Sequence, residues 1–285
     1  MASDKPLHAY LHKQILPLDN AYLHISDLAV QRGYGVFEFM KCQYGQPLFW
    51  DDYLDRFYNS ASLMELQVPH TKEELKDILL ELIRHNDLEL SGLKLILTGG
   101  YSPDGYTPAE EANLLITQLP FNLPSQEMLS KGIKVISHEY VREVPRAKTI
   151  NYSMGIRLIK QIKAQAADDV LYHQQGVVTE FPRCNFFMVT QENVLVTPDK
   201  QVLRGITRKN VMALASRKYK VEERPVTLKE IRGAKEAFLT STTKRILPIV
   251  QLDEAVIGNG KPGKMSLELL QDLIGLEKQQ VQAEV

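Results

Sequence analysis

Two stretches of the chain hold residues whose types and spacing could do covalent chemistry. Lys148-Thr149-Ile150-Asn151-Tyr152 stands just ahead of a helical run, and Val177-Val178-Thr179-Glu180-Phe181-Pro182-Arg183-Cys184-Asn185 follows after one turn-and-strand passage. An amine held ahead of a helix can bond covalently to an aldehyde. A carboxylate in a buried-looking strand can sit against a pyridine nitrogen and keep it protonated, so that the ring accepts carbanion electrons. That pair is what pyridoxal phosphate chemistry requires. Taken singly, a lysine beside a helix is ordinarily a solvated charge and a Thr-Glu pair ordinarily surface.

A cofactor phosphate also needs a cation and several aimed donors, and three stretches could supply them. Gly205-Ile206-Thr207 stands directly before Arg208-Lys209-Asn210-Val211-Met212, so the N–H groups of Ile206 and Thr207 would point out of a helix start. Ser241-Thr242 follow a strand with their hydroxyls in sequence, and Arg56 lies on a helix in Leu54-Asp55-Arg56-Phe57. Each has an ordinary alternative: Thr207 as an N-cap, Ser241 and Thr242 as turn residues, Arg56 as a surface helix charge.

The joint order of these residues resembles the fold-type IV pyridoxal phosphate aminotransferases, the class that holds D-amino-acid transaminases, branched-chain aminotransferases and aminodeoxychorismate lyase. The Lys-x-x-Asn element is met as Lys148 and Asn151. The spacing of Glu-Gly-Ser-Ser-Ser-Asn is met as Glu180 to Asn185, with Phe186-Phe187 behind. The likeness runs over nearly the whole length, including Thr240-Ser241-Thr242-Thr243 and Ile257-Gly258-Asn259-Gly260-Lys261-Pro262-Gly263. It implies an α/β (α+β two-domain) fold like that of D-amino-acid aminotransferase, pyridoxal 5'-phosphate in the interdomain cleft, and a homodimer with the active site near the subunit interface. It further implies Lys148 as the catalytic amine, Glu180 at the ring nitrogen and Tyr152 at the ring oxygen. Arg56, Ile206, Thr207, Ser241 and Thr242 would bind phosphate, and Phe37, where relatives carry a tyrosine, and Thr243 would face the substrate.

The chain departs from its relatives where the substrate carboxylate is held. D-amino-acid transaminases usually present an Arg-x-His pair on the loop that here reads Gly99-Gly100-Tyr101-Ser102-Pro103-Asp104-Gly105-Tyr106. Asp104 would repel a carboxylate. Arg183 stands inside the Glu180–Asn185 turn where relatives carry small polar residues, and a guanidinium is expensive to bury without an anion. Arg32 is expected on the strand of the first domain that faces the pocket, Val30-Gln31-Arg32-Gly33-Tyr34-Gly35. Arg183 and Arg32, the latter from the neighbouring subunit, would replace the missing pair. The alternative for Arg183 is a salt bridge with Glu180 or a place in solvent.

The 285 residues, 44% hydrophobic, can build one large domain or two ordinary ones. A small domain over 1–120, a linker over 121–131 and a larger cofactor domain over 132–285 are expected. A formal charge of -1 from 34 basic and 35 acidic residues provides no field to gather nucleic acid or an anionic membrane. Cys42 and Cys184 form no zinc-like pair, so no metal site is expected and a reducing cytoplasm is the default. Met1-Ala2-Ser3-Asp4-Lys5-Pro6 lacks a signal pattern, and no apolar run approaches a membrane span. Gly258-x-Gly260-x-x-Gly263 spells a dinucleotide fingerprint, but Pro262 and the lack of a strand-turn-helix context argue for a loop.

Among local elements, a hairpin of Gly35–Met40 with Pro47–Trp50 and helices from Asp51 and after Thr71 are expected, the latter with a stripe of Leu75, Ile78, Leu79, Leu82 and Ile83. Later come a helix from Met154 to Ala167, a strand from Glu180 to Thr190, a helix after Gly205 and a closing helix from Met265. The function expected is transamination from a D-amino acid of the alanine or glutamate kind to a 2-keto acid such as 2-oxoglutarate or pyruvate. Three alternatives stay open. They are aminodeoxychorismate lyase, suggested by Gly105-Tyr106-Thr107-Pro108, an L-branched-chain aminotransferase, and a cofactor-binding protein without turnover.

Overall fold

A computed structural model describes residues 6–283, and element counts refer to those residues. The reading of Met1 to Lys5 lies outside them. The chain divides into two compact units. One runs to Phe121 and adds Ala147–Asn151 and the chain from Gln280; the other comprises Asn122–Arg146 and Tyr152–Gln279.

In the first unit six strands, β1 His8–Leu11, β2 Gln14–Pro17, β3 Gly35–Gln43, β4 Gln46–Pro47, β5 Leu90–Thr98 and β6 Leu114–Pro120, form an antiparallel sheet in the order β2-β1-β6-β5-β3-β4. Alternation along β3 buries Val36, Glu38 and Met40, and leaves Phe37 and Phe39 half-buried on the opposite face. Helices α1 Leu28–Arg32, α2 Trp50–Leu63 and α3 Lys72–Asn86 complete the unit, with Tyr53, Leu54, Phe57 and Ala61 of α2 buried. A capping box starts α3: the Glu74 amide donates to Thr71 Oγ1, and the Thr71 amide to Glu74 Oε2. Leu75, Leu79, Leu82 and Ile83 of its expected stripe are buried.

Two expectations fail here for local reasons. The second arm of the hairpin ends at Pro47, and Trp50 already belongs to α2. Proline interrupts the ladder, and Phe49 turns into the left-handed region at φ 55° to start the helix. Arg32 is not on a strand. Asp27 caps α1 by accepting from the Ala29 amide, and Gly33 ends it at φ 66°, so Arg32 closes a short helix ahead of β3.

The second unit holds β7 Ile133–Glu139, β8 Asp169–Gln174, β9 Val177–Val178, β10 Asn185–Val189, β11 Leu195–Thr197, β12 Val221–Glu223, β13 Glu236–Ser241, β14 Arg245–Leu252 and β15 Ala255–Val256. They make a mixed sheet in the order β12-β11-β10-β13-β14-β7-β8-β9, with β15 on β14. Helices α4 Gln126–Lys131, α5 Ser153–Arg157, α6 Ile159–Ala164, α7 Ile206–Ala215, α8 Leu228–Arg232 and α9 Lys264–Ala283 accompany it. Both faces of β10 are buried. Phe186 and Met188 join Leu171, Leu239 and Ile249, while Phe187 and Val189 join Val211 of α7 and Leu269 of α9. Phe187 stacks on Phe238 with centroids 5.1 Å apart, and each ring so buried contributes about 1.5–3 kcal/mol.

The strand expected from Glu180 begins only at Asn185. Pro182 lacks a ladder donor, and the Phe181 amide closes a tight turn onto the Cys184 carbonyl at 2.9 Å. The helix expected over Met154–Ala167 breaks at Leu158 into α5 and α6, a run containing Gly155 and the β-branched Ile156, Ile159 and Ile162. Part of the expected linker is helical as α4, capped by Ser125. The Gly258-x-Gly260-x-x-Gly263 loop leads into α9, whose first amides, Met265 and Ser266, donate to the buried Glu236 carboxylate at 3.0 and 2.9 Å. A Cβ on Gly263 would lie 1.9 Å from Glu236 Cδ. An internal carboxylate therefore occupies the place a nucleotide phosphate would need.

Candidate active site

In the first unit Lys148 is fixed by its backbone. Its amide donates to Ser60 Oγ of α2 at 3.1 Å, its carbonyl accepts from the Phe37 amide at 2.8 Å, and Thr149 bridges Val36. The segment lies along β3 like a further strand, so close that a Cβ on Gly35 would meet the Leu97 carbonyl at 2.6 Å and Ile150 at 3.1 Å. Lys148 Nζ sits 4.5 Å from the centroid of the Phe37 ring, and Lys94 Nζ lies 5.4 Å from the same centroid. The catalytic candidate and the Phe37 candidate are thus in contact.

Arg56 lies on α2, one turn before Ser60. Its Nε donates to Glu38 Oε2 at 2.9 Å and its NH2 to Oε1 at 2.6 Å, a fork on a fully buried carboxylate. Glu38 thereby sets the direction of the guanidinium. Arg32 is exposed, with NH1 on the Gln31 carbonyl. Asp104 plays a different part from the one expected. Its carboxylate accepts from the amides of Tyr106 and Thr107 and from the hydroxyls of Thr107 and Ser102, which hold its carboxyl well below the usual range. It folds the loop, its charge answered by the loop's own donors.

In the second unit Glu180 is 4% exposed. Arg142 Nε donates to Glu180 Oε1 at 2.8 Å, and the Leu203 amide donates to Oε2 at 2.9 Å. The partner of Glu180 is Arg142, not Arg183, which removes the salt-bridge half of the alternative for Arg183 and leaves the solvent half. Arg183 is exposed and makes no ion pair among the described residues. It shares a cavity with Tyr152, which is half-buried at the start of α5. A Cβ on Gly155 would approach Pro182 to 3.0 Å, so α5 rests directly on the Glu180–Asn185 turn.

The phosphate candidates of the second unit flank Asn185. Its Nδ2 donates to the Leu203 carbonyl at 2.8 Å, a Cβ on Gly205 would fall 2.1 Å from its Oδ1, and its backbone pairs with Thr240 in the sheet. Gly205 starts α7 with no side-chain cap, which leaves the Ile206 and Thr207 amides to an outside acceptor. Beside Ser241, the buried Thr240 Oγ1 has no hydrogen-bond partner among the described residues. Ser241, Thr242 and Thr243 form the half-buried turn between β13 and β14. An uncapped helix start, an orphaned hydroxyl and a hydroxyl-rich turn fit a phosphate, and the paired Glu180 carboxylate fits a protonated ring nitrogen.

Sequence reasoning missed Glu38, Ser60, Arg142 and the Leu203 amide. Glu38 left a signal, because alternation along β3 points it inward between Phe37 and Phe39, and a buried acid needs a cation. Arg142 left none: only the tertiary fold brings it to Glu180, 38 positions on.

Fold and site together define an aminotransferase scaffold. Residues 35–252 match the family Amino-transferase class IV, and the chain belongs to that family, whose members use pyridoxal phosphate. A Methanocaldococcus jannaschii protein, provisionally named a branched-chain-amino-acid aminotransferase, is 30% identical over 270 residues, covering 91% of this chain and 93% of its own. A D-alanine aminotransferase of Listeria monocytogenes is 28% identical over 269 residues, covering 92% and 93%. The branched-chain amino acid aminotransferase of Escherichia coli shares the fold at a TM-score of 0.89 and 22% identity, over 96% of this chain and 95% of that one.

Proposed function

We propose that this class IV aminotransferase takes its amino group from a D-amino acid of the alanine or glutamate kind and passes it to a 2-keto acid such as 2-oxoglutarate or pyruvate. The observation that carries the reading is Arg183, an exposed guanidinium in the Glu180–Asn185 turn that makes no ion pair among the described residues, while Arg142 serves Glu180. A cation so placed favours a carboxylate-bearing ligand.

Pyridoxal phosphate, when bound, supplies the electron sink for the substrate Cα. Lys148 would hold it covalently, and the lysine amine would carry the proton at the substrate Cα. Glu180, braced by Arg142, holds a proton at the ring nitrogen. Tyr152 would bind the ring oxygen; Arg56, aimed by Glu38, and Ile206, Thr207, Ser241 and Thr242 would bind the phosphate. Thr243, Phe37, Arg183 and Arg32 face the substrate, with amino donor and keto acceptor using one site in turn. A homodimer in which Arg32 comes from the neighbouring copy suits the exposed Tyr22, Ile25, Val30 and Tyr106 of the first unit. Two buried free cysteines suit the cytoplasm.

An L-branched-chain reading is second, because Ile156, Ile159 and Ile162 line the cavity that holds Arg183 and would suit an apolar side chain. Mixing the enzyme with D- and L-alanine, D- and L-glutamate and leucine, and following the visible cofactor band, separates the two. Turnover of L-leucine with silence toward every D-amino acid would sink the D-specific reading. In the same assay Arg183→Ala should raise KM for amino and keto acids with the cofactor still bound. Borohydride reduction and peptide mapping should place the pyridoxyl group on Lys148.

A further inference from the structure

Arg183 lines a cavity that also holds Asp168 and Asp169, yet it pairs with neither among the described residues. A buried carboxylate near a guanidinium captures it unless its own oxygens are already satisfied. Asp169 is 5% exposed. Its Oδ1 accepts from the Val170 amide at 2.9 Å, and its Oδ2 from Lys244 Nζ at 2.9 Å. Asp168 is exposed and accepts from the Lys134 amide at 3.1 Å. Arg183 thus lines the same cavity as the carboxylate that Lys244 holds.

Lys244 reaches Asp169 from the turn that carries the phosphate and substrate candidates. The Lys244 amide donates to Ser241 Oγ at 3.1 Å, and the next residue, Arg245, is anchored on Glu277 of α9 at 2.8 Å. The lysine is therefore directed back toward β8 by a turn fixed at both ends, and its ammonium is mostly buried with the carboxylate it neutralises.

We infer that Lys244 is a positioning residue: by engaging Asp169 it prevents that carboxylate from capturing Arg183, and so leaves the guanidinium to the substrate carboxylate. The inference rests on the reading of Arg183 proposed above. Lys244 touches no substrate in it and acts only through Asp169. With an apolar residue at 244, Asp169 would be buried without a counter-charge, and Arg183 would turn inward to supply one.

The test is a set of holoenzyme variants, all carrying Lys163→Gln so that Arg183 is the remaining cation lining the cavity. KM and kcat per bound cofactor are measured for amino donor and keto acceptor. Lys244→Met should raise both KM values about tenfold, the worth of one hydrogen-bonded charge pair, with kcat per bound cofactor little changed. Adding Asp169→Asn should restore them, because the neutral amide no longer draws Arg183. Lys244→Arg, which keeps the pair, should keep KM low. A raised KM that Asp169→Asn does not restore overturns the inference, because Lys244 would then contact substrate or shape the turn directly. Unchanged KM in Lys244→Met, beside a raised KM in Arg183→Ala, overturns the role of Lys244 alone. Unchanged KM in Arg183→Ala overturns the reading of Arg183 and this inference with it.

Discussion

Three ion pairs assign work to residues that would otherwise be surplus charges. Glu38 orients Arg56, Arg142 braces Glu180 and Lys244 occupies Asp169. A buried pair is worth little against an apolar replacement of both partners, but losing one partner leaves an uncompensated charge. Arg142→Met should therefore cost about 3–5 kcal/mol of stability and weaken cofactor retention, whereas Arg142→Lys should recover part of both. Denaturant melts and cofactor titrations check this. A stability loss below about 1 kcal/mol would show a pair that water already screens.

At the scale of elements, the site depends on how helices and strands begin. The start of α7 is left open by Gly205, and a methyl group there would collide with Asn185. Gly205→Ala should lower affinity for pyridoxal phosphate at least about tenfold, the worth of an amide bond to a charged oxygen. Affinity for pyridoxal without phosphate should hardly change, and titration of both aldehydes distinguishes a damaged phosphate cup from general loosening. The start of α3 is closed by its capping box instead, and Thr71→Ala should cost about 1 kcal/mol. Glu74 adds a pH dependence. The Thr71 amide and hydroxyl lower its folded-state pKa, so its contribution is present above the ordinary carboxylate range and lost as pH falls through the lowered value. The difference in Tm between the native chain and Glu74→Gln should close in acid.

For the whole molecule, cofactor binding and folding are linked by mass action. Pyridoxal phosphate at one hundred times its Kd should add about 2.7 kcal/mol to the folded state, and stripping it should lower Tm by several degrees. Melts of stripped and reconstituted enzyme test this. Equal melting temperatures would mean that the Thr240 hydroxyl and the open start of α7 do not receive the phosphate.

How much of this was legible depended on the reach of each interaction along the chain. The helix after Thr71 could be read from its cap and stripe, because such determinants lie within a turn or two of one another. The second arm of the first hairpin and the α5–α6 run were misread, because Phe49 and Leu158 take backbone states that neighbouring residues alone do not dictate. The family could be read from Lys148, Glu180 and the stretches at 205–207 and 240–243, since chemistry keeps residue types and order even where the intervening turn reads Phe181-Pro182-Arg183-Cys184.

By itself the sequence determined the family and its cofactor class, nominated Lys148 as the reactive amine, and marked the start and buried stripe of α3. These follow from short-range pattern and from residue chemistry that no fold can replace. Only the tertiary structure decided that Asp104 folds its own loop, that Glu236 closes the start of α9, and that Glu180 pairs with Arg142 while Arg183 does not. Which cation meets which carboxylate is a competition settled by distance and desolvation in the folded chain, and spacing along the sequence carries no record of that outcome.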